Sequence, residues 1–195
     1  MFLAVNTNYA VISGKFDDEL AIHQGYSLIC GEWLGNYSYT TLIKGITYPC
    51  FVSMVKLLGF TYGQGMGILM ILASLIFIRM LNIFNKNKFF LLGAYIFVLF
   101  NPGGFGGWTA LHIYRDAMTL WLLLILFSSV FALYIKRNLP WKESYWWIIG
   151  GVVSFTLLYY LREDCIWIYP FMLVSFFVCA YSHYLSHLRN FKGGG

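Results

Sequence analysis

Gln64-Gly-Met-Gly-Ile-Leu-Met-Ile-Leu-Ala-Ser-Leu-Ile-Phe-Ile78 contains no charged residue and no polar face. A helix of that composition has nothing to turn toward water, so it faces lipid or a large core. The apolar run covers about residues 64–84, and about 20 such residues suffice to cross a bilayer. Four comparable runs follow, over about 88–101, 115–135, 145–161 and 165–185. They are continuous and do not alternate with period two, which excludes a membrane barrel. The expected fold is all-α: a polytopic membrane helical bundle of about five transmembrane helices.

Composition agrees with that reading. Hydrophobic residues make up 59% of the 195, charged residues only 11%, and mean hydropathy is +0.67. A soluble domain carries roughly a quarter charged residues, so this chain could not clothe a water-facing surface of ordinary composition. The net charge of +5 points to no nucleic acid, because the basic residues stand between apolar runs, where membrane orientation explains them. Cys30, Cys50, Cys165 and Cys179 lack the spacing of a zinc or redox motif. Cys30 and Cys50 form a disulfide only if both lie outside the cytoplasm; unrelated thiols are the simpler reading.

Around the spans, Arg79, Lys86 and Lys88 flank the first connector, Lys136, Arg137 and Lys142 the third, and His187, Arg189 and Lys192 follow the last. The second connector, Asn101 to Asp116, offers only Arg115, and the fourth, Arg162-Glu163-Asp164, is balanced or acidic. The positive-inside rule places the first set in the cytoplasm. Residues 15–62, 101–116 and 162–164 then share the extracytoplasmic face. Residues 1–14 are interrupted by Asn6, Asn8 and Gly14 and are too short for a span; they read as the remnant of a first helix, and the chain as a fragment. Residues 63–192 form the bundle, and the Gly tail 193–195 is set aside.

The segment 15–62 is neither lipid-like nor fully soluble. Asp17 or Asp18 caps a helix running to about Cys30, its acids favourably placed against the N-terminal dipole. Gly31, Gly35 and Gly45 then break a chain crowded with Trp33, Tyr37, Tyr39 and Tyr48, rings suited to the headgroup region. Pro49 opens a second short helix, from Cys50 to about Leu58, which Gly59 closes. Two amphipathic interfacial helices are expected.

Three groups can carry chemistry. Only eight Asp and Glu occur in the chain, and Asp17, Asp18 and Glu19 stand consecutively. Beyond capping, a carboxylate with a like-charged neighbour holds its proton more tightly and suits a general base. Paired Asp17 and Asp18 oxygens also suit a divalent cation, Mg²⁺ or Mn²⁺. His112, Arg115 and Asp116 share one helix face by their spacing, where Arg115 either snorkels to headgroups or grips a phosphate. Arg162-Glu163-Asp164 sits in a tight hairpin, where Arg162 either pairs internally or binds phosphate. Lys44 is a lone charge in an aromatic setting, matched to Glu32 or a headgroup. The Gly-rich Asn101–Trp108 segment lacks a P-loop ending and reads as a loop. A transporter places its ionisable groups near the membrane midplane; here they gather at one interface. A non-catalytic membrane transporter or assembly subunit is the alternative reading.

Phe16-Asp17-Asp18-Glu19-Leu20, Gly31-Glu32-Trp33-Leu34-Gly35-Asn36-Tyr37, Leu42-Ile43-Lys44-Gly45 and Tyr48-Pro49-Cys50-Phe51 together resemble the first extracytoplasmic loop of GT-C-type integral membrane glycosyltransferases, in their bacterial polyprenyl-phosphate-sugar-dependent branch. Tyr114-Arg115-Asp116 and Arg162-Glu163-Asp164-Cys165-Ile166-Trp167 are similar to later elements of that branch. The resemblance covers most of residues 16–170. It implies an N-terminal module in a bacterial plasma membrane that moves a sugar from a polyprenyl-phosphate donor to an unknown acceptor outside the cytoplasm. It implies an acidic base or metal ligand at Asp17 or Asp18. The site expected around them takes Arg115 and Arg162 for the donor phosphate, with Lys44, Glu32, Tyr48 and His112 in substrate binding.

Overall fold

The computed structural model describes residues 17–35, 45–101, 115–136, 141–175, 177, 178 and 181. These residues form helices α1 (Asp17–Ile29), α2 (Thr47–Leu57), α3 (Tyr62–Phe84), α4 (Lys88–Leu99), α5 (Arg115–Ile135) and α6 (Trp141–Tyr159). A 3₁₀ turn, Glu163–Trp167, forms the beginning of α7, the apolar helix Asp164–Ser175. No strand occurs among the described residues.

α3 and α5 are long and apolar enough to cross a membrane by length and composition. The other three apolar stretches are shorter: Lys88–Leu99, Ser144–Tyr159 and Asp164–Ser175. The reason is local. α4 stops at the Phe100 cap, and Asn101 precedes Pro102, a position that disfavours further helix. α6 stops before Arg162, whose backbone is extended at φ −141°.

α5 packs against both α3 and α6. Its Leu122 and Leu126 are fully buried beside Met66, Met70 and Ala73 of α3 and Leu158 and Leu161 at the end of α6. Glycine lets α6 approach closely, as Gly150-Gly151 predicts: a Cβ at Gly150 would stand 3.1 Å from the Ser129 hydroxyl. The serines of this seam are satisfied mostly within their own helices. Ser128 donates to the Leu124 carbonyl at 2.5 Å and Ser154 to that of Gly150 at 2.6 Å. α4 differs from every one of these helices, since none of its residues is buried and Phe97 is 75% exposed.

Capping fixes the short helices. Gly59 closes α2 with φ +75°, a left-handed conformation that glycine adopts without steric cost. Its N–H donates to the Lys56 carbonyl and that of Phe60 to Val55, both at 3.0 Å, which is the Schellman arrangement. The start of α2 differs from expectation: the helix begins at Thr47, not Cys50. Pro49 therefore sits inside the first turn, where its missing N–H removes no helical bond. α3 opens on a capping box. Thr61 accepts from the Gln64 N–H at 3.3 Å, and the Gln64 side chain accepts from the Thr61 N–H at 2.8 Å.

α2 is more than a surface helix. Tyr48, Phe51 and Val55 belong to the same buried cluster as α3 and α5. The turn before it docks on the corner after α6, where the Thr47 N–H donates to the Tyr160 carbonyl at 3.2 Å. Gly45 meets that carbonyl so closely that no Cβ could be fitted between them.

Candidate functional site

The ionisable residues at the α5 start and the α6–α7 corner come together. Arg162 donates through Nη1 to Asp116 Oδ1 at 2.6 Å and through Nη2 to Asp164 Oδ2 at 3.0 Å. The planar guanidinium fork suits two carboxylates at once. The side chains of Arg162 and Asp116 are each 28% exposed, whereas that of Asp164 lies largely in the open at 74%. The Asp116 contact is therefore the better sheltered, and it spans 46 residues of sequence. Arg115 precedes Asp116 at the head of α5, so two arginines and two carboxylates occupy one corner. Beside them Cys165 is buried with Leu161 and Ile168.

This corner is the one that receives the turn before α2. The Gly45–Tyr160 approach and the Thr47–Tyr160 hydrogen bond fasten it there. Tyr48 is placed inward: it is buried, and its hydroxyl donates to that of Tyr62 at 2.9 Å. Their rings meet edge to face with centroids 6.5 Å apart. α1 continues the layer, with Ser53 of α2 donating to the Gly25 carbonyl at 2.8 Å.

Asp17 and Asp18 open α1, and their side chains lie outside the described atoms. Their register is set by the helix backbone. α1 buries Gln24 and Gly25 and half-buries Ala21. At about 100° per residue, Asp17 falls within about 20° of Gln24, and Asp18 within about 20° of Gly25. Glu19 points elsewhere, exposed and 3.7 Å from His23. Glu32 is exposed in the turn after α1. Lys44 and His112 lie outside the described residues, as do residues 1–14 and residues 102–108 of the Gly-rich segment.

Cys30 and Cys50 are both free thiols and both exposed, so the disulfide alternative does not hold in this structure. Among the described residues no group of three or more His, Cys, Asp or Glu could hold a metal ion. Asp116 and Asp164 do not fit a cation, because the Arg162 guanidinium stands between their oxygens. The side chains of Asp17 and Asp18, expected in that role, lie outside the described atoms.

Two features escaped the sequence reading. One is the partnership of Asp116 with Arg162; the nearer clue was Glu163 or Asp164, and nothing in the local spacing favoured a partner on another helix. The other is Gln24, a polar residue on the stripe Asp17, Ala21, Gln24 and Leu28. That stripe carries the i, i+4, i+7 spacing of one helix face, which was the signal available.

Comparison with known protein families, curated proteins and solved structures finds no match.

Proposed function

We propose that this chain is a GT-C-like membrane glycosyltransferase module. It transfers a sugar from a polyprenyl-phosphate donor on the extracytoplasmic face of a bacterial plasma membrane. The observation that carries the reading is the corner where Arg115, Asp116, Arg162 and Asp164 gather, beside the docked turn that leads from the acidic helix into α2. Charge patterning alone assigned these segments to one membrane face, and their meeting at one end of the bundle agrees with it.

Lipid as the surrounding medium is supported by arithmetic. At 1.5 Å per residue, the 23 and 21 residues of α3 and α5 reach roughly 35 and 32 Å, against about 30 Å of hydrocarbon. The uncovered apolar surface of α4 would be a liability in water and is ordinary in a bilayer. The three shorter apolar helices complete about five crossings, with tilt or local thinning accommodating their length.

In the proposed reaction, an acceptor hydroxyl oxygen bonds to the anomeric carbon as the bond from that carbon to the donor phosphate oxygen breaks. A carboxylate of the Asp17–Asp18 pair takes the hydroxyl proton, and polyprenyl phosphate leaves. Arg115 neutralises the charge developing on the leaving phosphate. Arg162, engaged by two carboxylates, holds the corner in shape. A divalent cation, if bound by Asp17 and Asp18, would add charge stabilisation at the same phosphate.

The test is steady-state transfer in proteoliposomes containing the natural full-length protein. Arg115→Lys is expected to raise KM for the polyprenyl-phosphate donor more than it lowers kcat. An unchanged KM and kcat would remove Arg115 from the site. The pairing of Arg162 with Asp116 and Asp164 also favours a second reading, a non-catalytic transporter or assembly subunit whose charges only pin helices. Absence of any transfer by the wild-type protein with every donor tried would select it.

A further inference from the structure

α2 is turned inside out for a helix in water. Its polar residues Thr47, Tyr48 and Ser53 are buried, whereas Cys50, Met54, Leu57 and Leu58 are exposed. At about 100° per residue those four fall within an arc of about 100°, and Leu57 on it is 70% exposed. Thr47 shares that side of the helix but lies buried in the docked first turn. No exposed polar side chain interrupts the arc. A surface helix in water presents its polar side outward, so the medium that suits this arc is apolar.

α1, packed against α2, is built the other way. Glu19, His23, Tyr26 and Cys30 follow the i, i+4, i+7, i+11 spacing of one helix face, and all four are exposed. Glu19 Oε1 lies 3.7 Å from His23 Nε2. That stripe belongs in water. α2 instead runs toward the apolar helix α3, from which only residues 58–61 separate it, and Phe60 among them is also exposed. Lys56 is the one charge of α2 and is exposed in its last turn. Its stem can lie along apolar surface and place the amine among anionic phosphates, and α2 carries no carboxylate to compete with them.

We infer that the outer arc of α2 docks into the acyl region of a phospholipid leaflet, with Lys56 at the phosphates, while the outer stripe of α1 stays in water. The two helices are then not a pair lying flat on the membrane: the lipid boundary passes between them. Cys30 and Cys50, both free thiols and both exposed on the protein, fall on opposite sides of that boundary. Docking of this arc does not depend on sugar transfer; it rests on lipid as the surrounding medium.

The experiment places a nitrobenzoxadiazole probe on single thiols of the full-length protein in phosphatidylcholine–phosphatidylglycerol nanodiscs, with all other cysteines replaced by serine. The thiols are the native Cys30, the native Cys50, Met54→Cys as a second position on the arc, and Phe97→Cys on α4 as the reference for lipid. Aqueous dithionite is expected to bleach the probe at Cys50 and at Met54→Cys at least about tenfold more slowly than at Cys30, because a charged reductant does not enter hydrocarbon. Doxyl-labelled phosphatidylcholine is expected to quench those two positions and Phe97→Cys, and to leave Cys30 bright. Equal bleaching at Cys30 and Cys50 would overturn the inference. So would slow bleaching at Cys50 without quenching by doxyl lipid, since protein, such as a second copy of the chain, would then cover the arc. Quenching at Phe97→Cys but at neither arc position would defeat this inference alone and leave the membrane reading standing. Quenching at none of the three would defeat both.

Discussion

Arg162 reaches from the corner after α6 to the first turn of α5 and donates to Asp116 at 2.6 Å. The bond closes the end of the helix pair whose middle is held by Leu126, Ser129 and Gly150. A charge-assisted bond of this kind is worth about 1.5–3 kcal/mol when sheltered, and solvent reduces it for side chains that are 28% exposed. Asp116→Asn and Arg162→Gln are each expected to lower stability by about 1 kcal/mol. A double-mutant cycle on thermal unfolding should give a coupling of roughly 0.5–1 kcal/mol, and purely additive losses would dissolve the link.

Gly45→Ala is the sharper structural test. Its Cβ would strike the Tyr160 carbonyl, and backbone cannot yield as a flexible side chain can. Undocking the turn before α2 is expected to cost roughly 3 kcal/mol, the upper end for overpacking. It should also raise proteolysis between α1 and α2. Gly59→Ala has open space around it and suffers only the left-handed backbone penalty, about 1 kcal/mol. Equal losses in the two variants would contradict the docking described for Gly45.

Much of this architecture was legible beforehand because long apolar helices are written in composition. Arg115 to Ile135 matches the expected third span, and Gly59 ends α2 where a left-handed residue was required. What the chain hid was mostly tertiary. Pro49 looked like a helix start, but the Thr47 N–H finds its partner on Tyr160, and that distant bond draws the helix start back by three residues. Tyr48 looked like an interfacial ring available to substrate, yet Tyr62 receives its hydroxyl within the core. The Thr61–Gln64 capping box carries the local Thr-x-x-Gln signal, which the sequence reading did not use. Within the site, the gathering of the arginine segments followed from charge alternation, whereas the choice of Asp116 as the partner of Arg162 depended on how α5 packs against α6.

Core and uncovered faces should respond differently. Leu126 is 0% exposed, and Leu126→Ala is expected to cost roughly 2–5 kcal/mol. Phe97→Trp, on the uncovered α4, should change stability by less than about 0.5 kcal/mol. In bilayers containing brominated lipid, fluorescence should fall further when Phe97→Trp is added to a background in which the seven native tryptophans are replaced. An emission unaffected by brominated lipid would contradict a membrane location for α4.

The proposed topology has its own readout. In a background with the four native cysteines replaced by serine, Asn36→Cys is expected to react with an impermeant maleimide added outside intact cells. Lys86→Cys should react only after permeabilisation. Outside labelling at position 86 would invert the membrane orientation and remove the donor site from the extracytoplasmic face.

The most direct measurement of the central claim is transfer of radiolabelled sugar from a polyprenyl-phosphate donor by the natural full-length protein and its Asp17→Asn, Asp18→Asn and double variants. Removing a general base costs typically 10²–10⁴-fold. The account predicts a loss of that size in the double variant and in at least one single variant, with expression and thermal midpoint unchanged. Full transfer by all three variants would contradict it.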